Sequence, residues 1–371
     1  MAEALESIDK IDKIDATVIR KESAPSQERE LAALGKLTSF LVGWIVIGSL
    51  LATVGFSLFL RVQKATAGST QQKVLKLGHG LDTGHPVHKA MEFMKQRLEE
   101  LSAGTVTMNI YPSSVLGSET QCIEQLQNGS LAMTKTSAAS IENFIPSMSV
   151  FGLPYLFRDN DHYLAVINGE IGREMLDEGE KKFLHGLCYY DAGTRNFYTK
   201  DIPIRTPNDL NGLKIRVMSS ATAIEMVKAM GGAPTPIPWG ELYSALAQGT
   251  VDGAENNLPS FTSNKHYEVC KHFSFNKHTR IPDVLLMSTR VWDDLDPQVQ
   301  QWVQQAADES SDFQRKLWEE TTAESLEQAK AEGVTFYDVD TADFAAKVAP
   351  MLEQIENARV NELAKRITEV E

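Results

Sequence analysis

The chain has 371 residues, with 50 Asp and Glu against 36 Lys and Arg and a net charge of −14. The acidic residues are scattered, which argues against nucleic acid or an anionic membrane surface as partner. Cys122, Cys188 and Cys270 show no CxxC spacing, allow at most one disulfide and read as three buried free thiols.

Residues 1–36, with IDKIDKID at 8–15, carry too few large apolar side chains for a core and read as a tail or n-region, disordered or briefly helical. Residues 37–60 form an uncharged run of 24, long enough to cross a bilayer and longer than the roughly 7–15 residues of a secretory signal core. The run reads as a retained transmembrane signal anchor. Ala65-Thr66-Ala67 before Gly68 is a cleavage-like site, so a cleaved, soluble form is the alternative. Lys and Arg flank the run on both sides and do not set its orientation. A linker at 61–73 follows, and about 300 residues beyond the apolar run are enough for two domains.

From residue 74 onward, strand and helix signals alternate. VLKLGH (74–79) is strand-like, residues 86–101 place Val87, Met91, Met94, Leu98 and Leu101 at helical spacing, and TVTMNIYP (105–112) returns to strand. A helix at 119–128, a strand at 131–136, a helix at 170–183 and a strand at 186–191 continue the pattern. The alternation predicts an α/β fold with a largely parallel, helix-covered sheet. A second domain begins near Gly193, holds helices at 220–230 and 240–248, and reaches residue 281; the buried strand at 282–289 returns to the first. Asp296-Pro297 opens a helix of about 35 residues, roughly 50 Å long, which must cross both domains. A strand at 334–339 and a final helix at 341–368 complete the chain. The expected division is 74–192 plus 282–320 for lobe I and 193–281 plus 321–371 for lobe II.

Arg195 in GTRNFYT and Arg216 in LKIRV are charges inside apolar, strand-like runs. A buried guanidinium is costly unless neutralised, and it cannot lose its proton. Each therefore needs an anion, from a structural carboxylate or from a ligand. The turn TPNDLNG (206–212) between them suggests neighbouring strands and convergence on one ligand carboxylate, which a guanidinium fork matches bidentately.

Residues 193–257, reading GTRNFYT, LKIRVMSSATA and GGAPTPIPWGELYSALAQGTVDGAEN, resemble the substrate-binding proteins of tripartite ATP-independent periplasmic (TRAP) transporters. IYPSSVLGSE (110–119), LQNGSLAMT (126–134) and FGLPYLFRD (151–159) extend the resemblance over roughly residues 74–340. It implies a two-lobed periplasmic-binding-protein-like fold with a cleft between the lobes, a long helix joining them, and a periplasmic location, which with a retained anchor leaves residues 1–36 in the cytoplasm. The implied partners are a small organic acid and the small and large membrane subunits of a transporter, with no cofactor or metal. By the same resemblance Arg216 is the carboxylate clamp, Arg195 assists it, Asn256 completes it, and Trp239 is an aromatic wall, with an ordinary core tryptophan as the alternative. Glu119 and Ser137 match positions that touch the polar end of larger ligands; His79, at the end of the first strand, and His278 would add hydroxyl partners. Lys135 reads as solvated or structurally paired, with a third positive group near the cleft as the alternative. Ala254 and Asn257 stand where the family commonly has glutamine and proline, which leaves the ligand's identity open.

A tryptophan and several polar residues suggest a cleft larger than a C4-dicarboxylate needs, so a hexuronate-like sugar acid is the preferred ligand and a C4-dicarboxylate the alternative. His85 and His88 in GHPVH read as a polar helix start rather than a metal site. A sensory receptor, or a lyase using Glu119 and Glu255 as acid and base, are the readings from other classes. The sequence has no GxSxG, P-loop or HExxH motif to favour an enzyme.

Overall fold

The computed structural model describes residues 72–371; the N-terminal tail, the apolar run at 37–60 and the Ala65–Ala67 site lie outside the described residues. Among the described residues no helix is long and apolar enough to cross a membrane. Eleven strands are described: β1 (Lys73–Gly78), β2 (Val106–Tyr111), β3 (Met133–Ser137), β4 (Leu184–Tyr190), β5 (Arg195–Thr199), β6 (Lys214–Val217), β7 (Ala233–Pro236), β8 (Gly253–Asn256), β9 (His272–Thr279), β10 (Asp283–Ser288) and β11 (Thr335–Asp338). They build two sheets, ordered β2-β1-β3-β10-β4 and β11-β9-β5-β8-β6-β7. Each sheet is mixed rather than largely parallel. β10 lies antiparallel to β3 and β4, and β5 antiparallel to β8 and β9. Each is the strand entered just after the chain crosses from the other lobe: β5 opens the second sheet, and β10 inserts between β3 and β4 of the first.

Local chemistry sets the helices around the first sheet. Pro86–Leu101 has proline in its first turn, where no amide partner is needed, and His85 caps it by accepting from the Val87 amide at 3.2 Å. Its Val87, Met91, Met94 and Leu98 are buried, as their spacing predicts. Glu119–Asn128 begins with a capping box of Ser118 and Gln121 and ends at Gly129, whose φ of 80° suits a residue without Cβ. Pro297–Ala331 is a single helix of 35 residues. It places Val303, Ala306, Ala307 and Trp318 in a lobe I core and Ala329 in a lobe II core.

Other elements differ from the expectation. The helix expected at 170–183 stops at Asp177, and a short 3-10 turn leads to Phe183 in the left-handed region at φ 61°. The helix expected at 341–368 is two helices, Ala342–Glu353 and Ala358–Glu369, the second capped by Asn357. The first buries Phe344 and Val348 in lobe II; the second buries Val360, Leu363, Ala364 and Ile367 in lobe I. Residues 358–369 therefore pack with lobe I and not, as expected, with lobe II. Arg359 and Arg366 reinforce this by pairing with Glu174, and Arg359 also with Glu178. β7 and β9 escape a reading by pattern, because APTP carries two prolines on a sheet edge and HFSFNKHT mixes His and Lys into its apolar alternation.

Candidate functional site

Arg195 and Arg216 are not on neighbouring strands. β8 lies between β5 and β6, with Asn256 opposite Asn196 and Ala254 opposite Arg216. The intervening strand is what gives the two arginines different surroundings. Arg195, Arg216, Trp239 and Asn256 from lobe II, with Glu119 and Ser137 from lobe I, line one cavity between the lobes. The empty space among these residues, open solvent at the mouth included, is ≈ 480 Å³.

Arg216 is 2% exposed. Its Nε donates to the Ile237 carbonyl at 2.8 Å, while Nη1, although buried, has no partner among the described residues. Burial lowers its pKa, partly offset by the field of Glu255. The Trp239 ring centroid lies 5.8 Å from its Cζ, a cation–π distance, and the buried Trp239 Nε1 also lacks a partner among the described residues. The fork therefore faces the cavity with a net positive charge.

Arg195 is already paired. It is fully engaged with Glu255, donating to both carboxylate oxygens and to the Glu255 carbonyl at 2.8 Å, and its Nη1 donates to Asn256 Oδ1 at 2.8 Å. Burial opposes the charge of Glu255, but Arg195 and a hydrogen bond from His278 hold its pKa at about 2. Asn256 Oδ1 also accepts from the Asn257 amide at 2.9 Å, so both bonds fix the amide with its NH2 turned away from Arg195. Asn257 in turn caps Leu258–Ser263 by accepting from the Ser260 amide at 2.8 Å. The residue that departs from the family wording thus starts a helix, and Ala254 beside it is wholly buried.

Two of the expected ligand residues are behind the cavity wall rather than on it. His278 is fully buried, stacks on Phe197 at 4.6 Å and reaches Glu255 at 3.3 Å, so it braces the Arg195 pair. His79 accepts from the Leu81 amide at 3.1 Å and lies 3.0 Å from His88 Nδ1, holding the turn whose Gly80 and Leu81 do line the cavity. Both have a polar second partner in the protein, and neither has an edge free for a hydroxyl. His85 lies 3.1 Å from Ser260 Oγ across the lobes, and no group of three or more metal-ligating side chains occurs among the described residues.

Lys135, Asp283 and Ser260 line the cavity as well. Lys135 is structurally paired, with Nζ 3.0 Å from Asp283 and 3.4 Å from Glu119. Asp283 and Ser260 were missed by the sequence reading. The signal for Asp283 was a lone charge opening a buried apolar strand, the same signal that marked the arginines; Ser260 has none.

A two-lobed α/β fold whose cavity presents an uncompensated guanidinium defines a binding protein for a small solute. The chain belongs to the bacterial extracellular solute-binding proteins of family 7, which residues 77–358 match. A TRAP periplasmic solute-binding protein of Xanthobacter autotrophicus with bound β-D-galacturonate is 36% identical with a TM-score of 0.78, over 80% of this chain and 100% of that one. Another, from Citrobacter koseri with bound D-glucuronate, is 36% identical with a TM-score of 0.78, over 81% of this chain and 100% of that one. The 2,3-diketo-L-gulonate-binding periplasmic protein YiaO of Escherichia coli is 29% identical over 297 residues, 80% of this chain and 90% of its own length.

Proposed function

We propose that this protein is an extracytoplasmic receptor that captures one hexuronate-like sugar acid and delivers it to the small and large membrane subunits of a TRAP transporter. The observation that carries this reading is Arg216: a buried guanidinium with one carbonyl partner and a buried Nη1 facing no acceptor among the described residues. A ligand carboxylate supplies the counter-charge and the bidentate geometry. Trp239 supplies a flat wall against which the apolar faces of a sugar ring pack. The uronates bound to the Xanthobacter and Citrobacter relatives support a sugar acid over a C4-dicarboxylate. A receptor binds its ligand without converting it, and the lyase alternative is weakened because the buried Glu255 carboxylate is tied to Arg195 and His278 rather than free to take a substrate proton. Clamp residues lie on lobe II and the opposing wall on lobe I, so ligand stabilises the closed arrangement through its greater affinity for it.

Retention of residues 37–60 as an anchor belongs to the same reading; a native N-terminus at Met1 or Ala2, found by mass spectrometry of washed inner membranes, supports it, and a start at Gly68 overturns it. For the ligand, the full-length protein in mild detergent is heated with D-galacturonate, D-glucuronate, succinate or D-galactose. The uronates should raise the melting temperature by linkage, more than succinate does, and neutral galactose should not. Equal shifts with galactose, or none with any acid, would overturn the assignment.

A further inference from the structure

The lobe I side of the cavity is a buried ion cluster that the carboxylate clamp does not use. Lys135 Nζ, on a side chain 3% exposed, lies 3.0 Å from Asp283 Oδ1 and 3.4 Å from Glu119 Oε1. Glu119 is held further by the Ser137 amide at 3.1 Å and by Ser140 Oγ at 2.6 Å. Asp283 Oδ2 accepts no hydrogen bond among the described residues, and Asp283 lines the cavity. Formal charges give two carboxylates against one ammonium, a net −1. On the opposite wall Glu255 cancels Arg195, leaving Arg216 at +1 and the neutral donor Asn256. The cavity is therefore polarised, with cationic donors on lobe II and anionic acceptors on lobe I.

Resting on the receptor reading above, we propose that the Glu119–Lys135–Asp283 cluster sets the charge class of the ligand: it admits acids with a single carboxylate and a hydroxyl-bearing far end, and rejects diacids. A hydroxyl at the far end donates to Asp283 or Glu119 and satisfies it. A second carboxylate brings anionic oxygens against anionic oxygens where little water screens them. Lys135 does not relieve this, because two of its three donors are spent on the same two carboxylates. Specificity here comes from repulsion of the wrong ligand as much as from attraction of the right one.

The test compares D-galacturonate with galactarate, which has the same carbon skeleton with C1 oxidised to a second carboxylate. Full-length protein in mild detergent is titrated calorimetrically as wild type, Glu119→Gln and Asp283→Asn, with melting temperatures to show that each variant is folded. Wild type should prefer the uronate by at least about 100-fold, and each isosteric amide should narrow that ratio by about 10-fold or more. Comparable wild-type affinity for the two acids, or an unchanged ratio in both folded variants, overturns the proposal. If one variant does not fold, the ratio in the other decides. Binding of neither acid by wild type overturns the receptor reading itself, and the charge selection falls with it.

Discussion

Arg216 and Arg195 look alike in the sequence, each a lone cation in an apolar strand, yet mutation should separate them. Arg216→Ala removes the fork proposed above as the carboxylate clamp and should weaken acid binding by about 2–5 kcal/mol, from about 30-fold upward. Arg216→Lys should bind nearly as poorly, because an ammonium cannot reproduce the bidentate geometry. The unliganded melting temperature should hold or rise in both, since an uncompensated buried charge has been removed or made more compact. Arg195→Ala should behave in the opposite way: it strands Glu255, which is 1% exposed, and costs about 3–5 kcal/mol of stability. Calorimetric titration and thermal melts check this contrast, and full affinity in Arg216→Ala would sink the clamp. The sequence marked both arginines as anomalous. It did not show which had a protein partner, because Glu255 lies 60 residues from Arg195 and meets it only through the pairing of β5 with β8.

At the scale of elements, the strand ends and turns around the cavity are held by neutral histidines. Burial lowers the pKa of His79 to about 2 and of His266 to about 3, and lowers those of His85 and His278 as well. In the unfolded chain each titrates near its ordinary 6.5, so below that pH the unfolded state binds more protons than the folded state. Stability from these groups is therefore complete above about pH 6.5 and is lost as pH falls, by up to about 1.4 kcal/mol per histidine per pH unit. Glu255, depressed from 4.5 to about 2, adds the same trend below pH 4.5. Glu142, Asp191 and Asp283 are raised by burial and offset part of the loss. The melting temperature should fall steadily from pH 7 to pH 5, and a flat profile in differential scanning calorimetry would show that the histidines are not held neutral. A strand-end histidine such as His79 was visible in the sequence as a polar residue near the cleft. Its direction was not, because the Leu81 amide and His88 turn it away from the cavity.

At the scale of the whole molecule, the lobes meet over the cavity through close approaches of small residues. A Cβ placed on Gly80 would lie 3.3 Å from Trp239 Cδ1, and one on Gly240 would lie 3.2 Å from Ser114 Oγ on the other lobe. Gly240 and Ser114 are absent from the cavity lining, so a larger side chain at 240 obstructs closure without touching the ligand. Gly240 also sits in the first turn of Trp239–Ala247, where a leucine improves helix propensity. Gly240→Leu should cost about 1–3 kcal/mol of overpacking in the closed arrangement alone, an affinity loss of about 5- to 150-fold with the unliganded melting temperature unchanged or raised. Unaltered affinity in that variant would mean that the lobes bind ligand without coming this close.

What the sequence determined by itself is the part that depends on local chemistry and short-range periodicity. The first βαβ unit, the caps at His85 and Ser118, the proline-opened helix of 35 residues and the anomalous arginines all follow from residues within a few positions of one another. The tertiary structure decided everything set by residues distant along the chain: β8 inserted between the two arginines, Glu255 assigned to Arg195, and the last helix carried back to lobe I. It also decided the Lys135–Asp283 pair, whose members are 148 residues apart. The reason is physical. Local propensity acts over one turn or one pleat, whereas the neutralisation of a buried charge depends on which distant strand the sheet order places beside it.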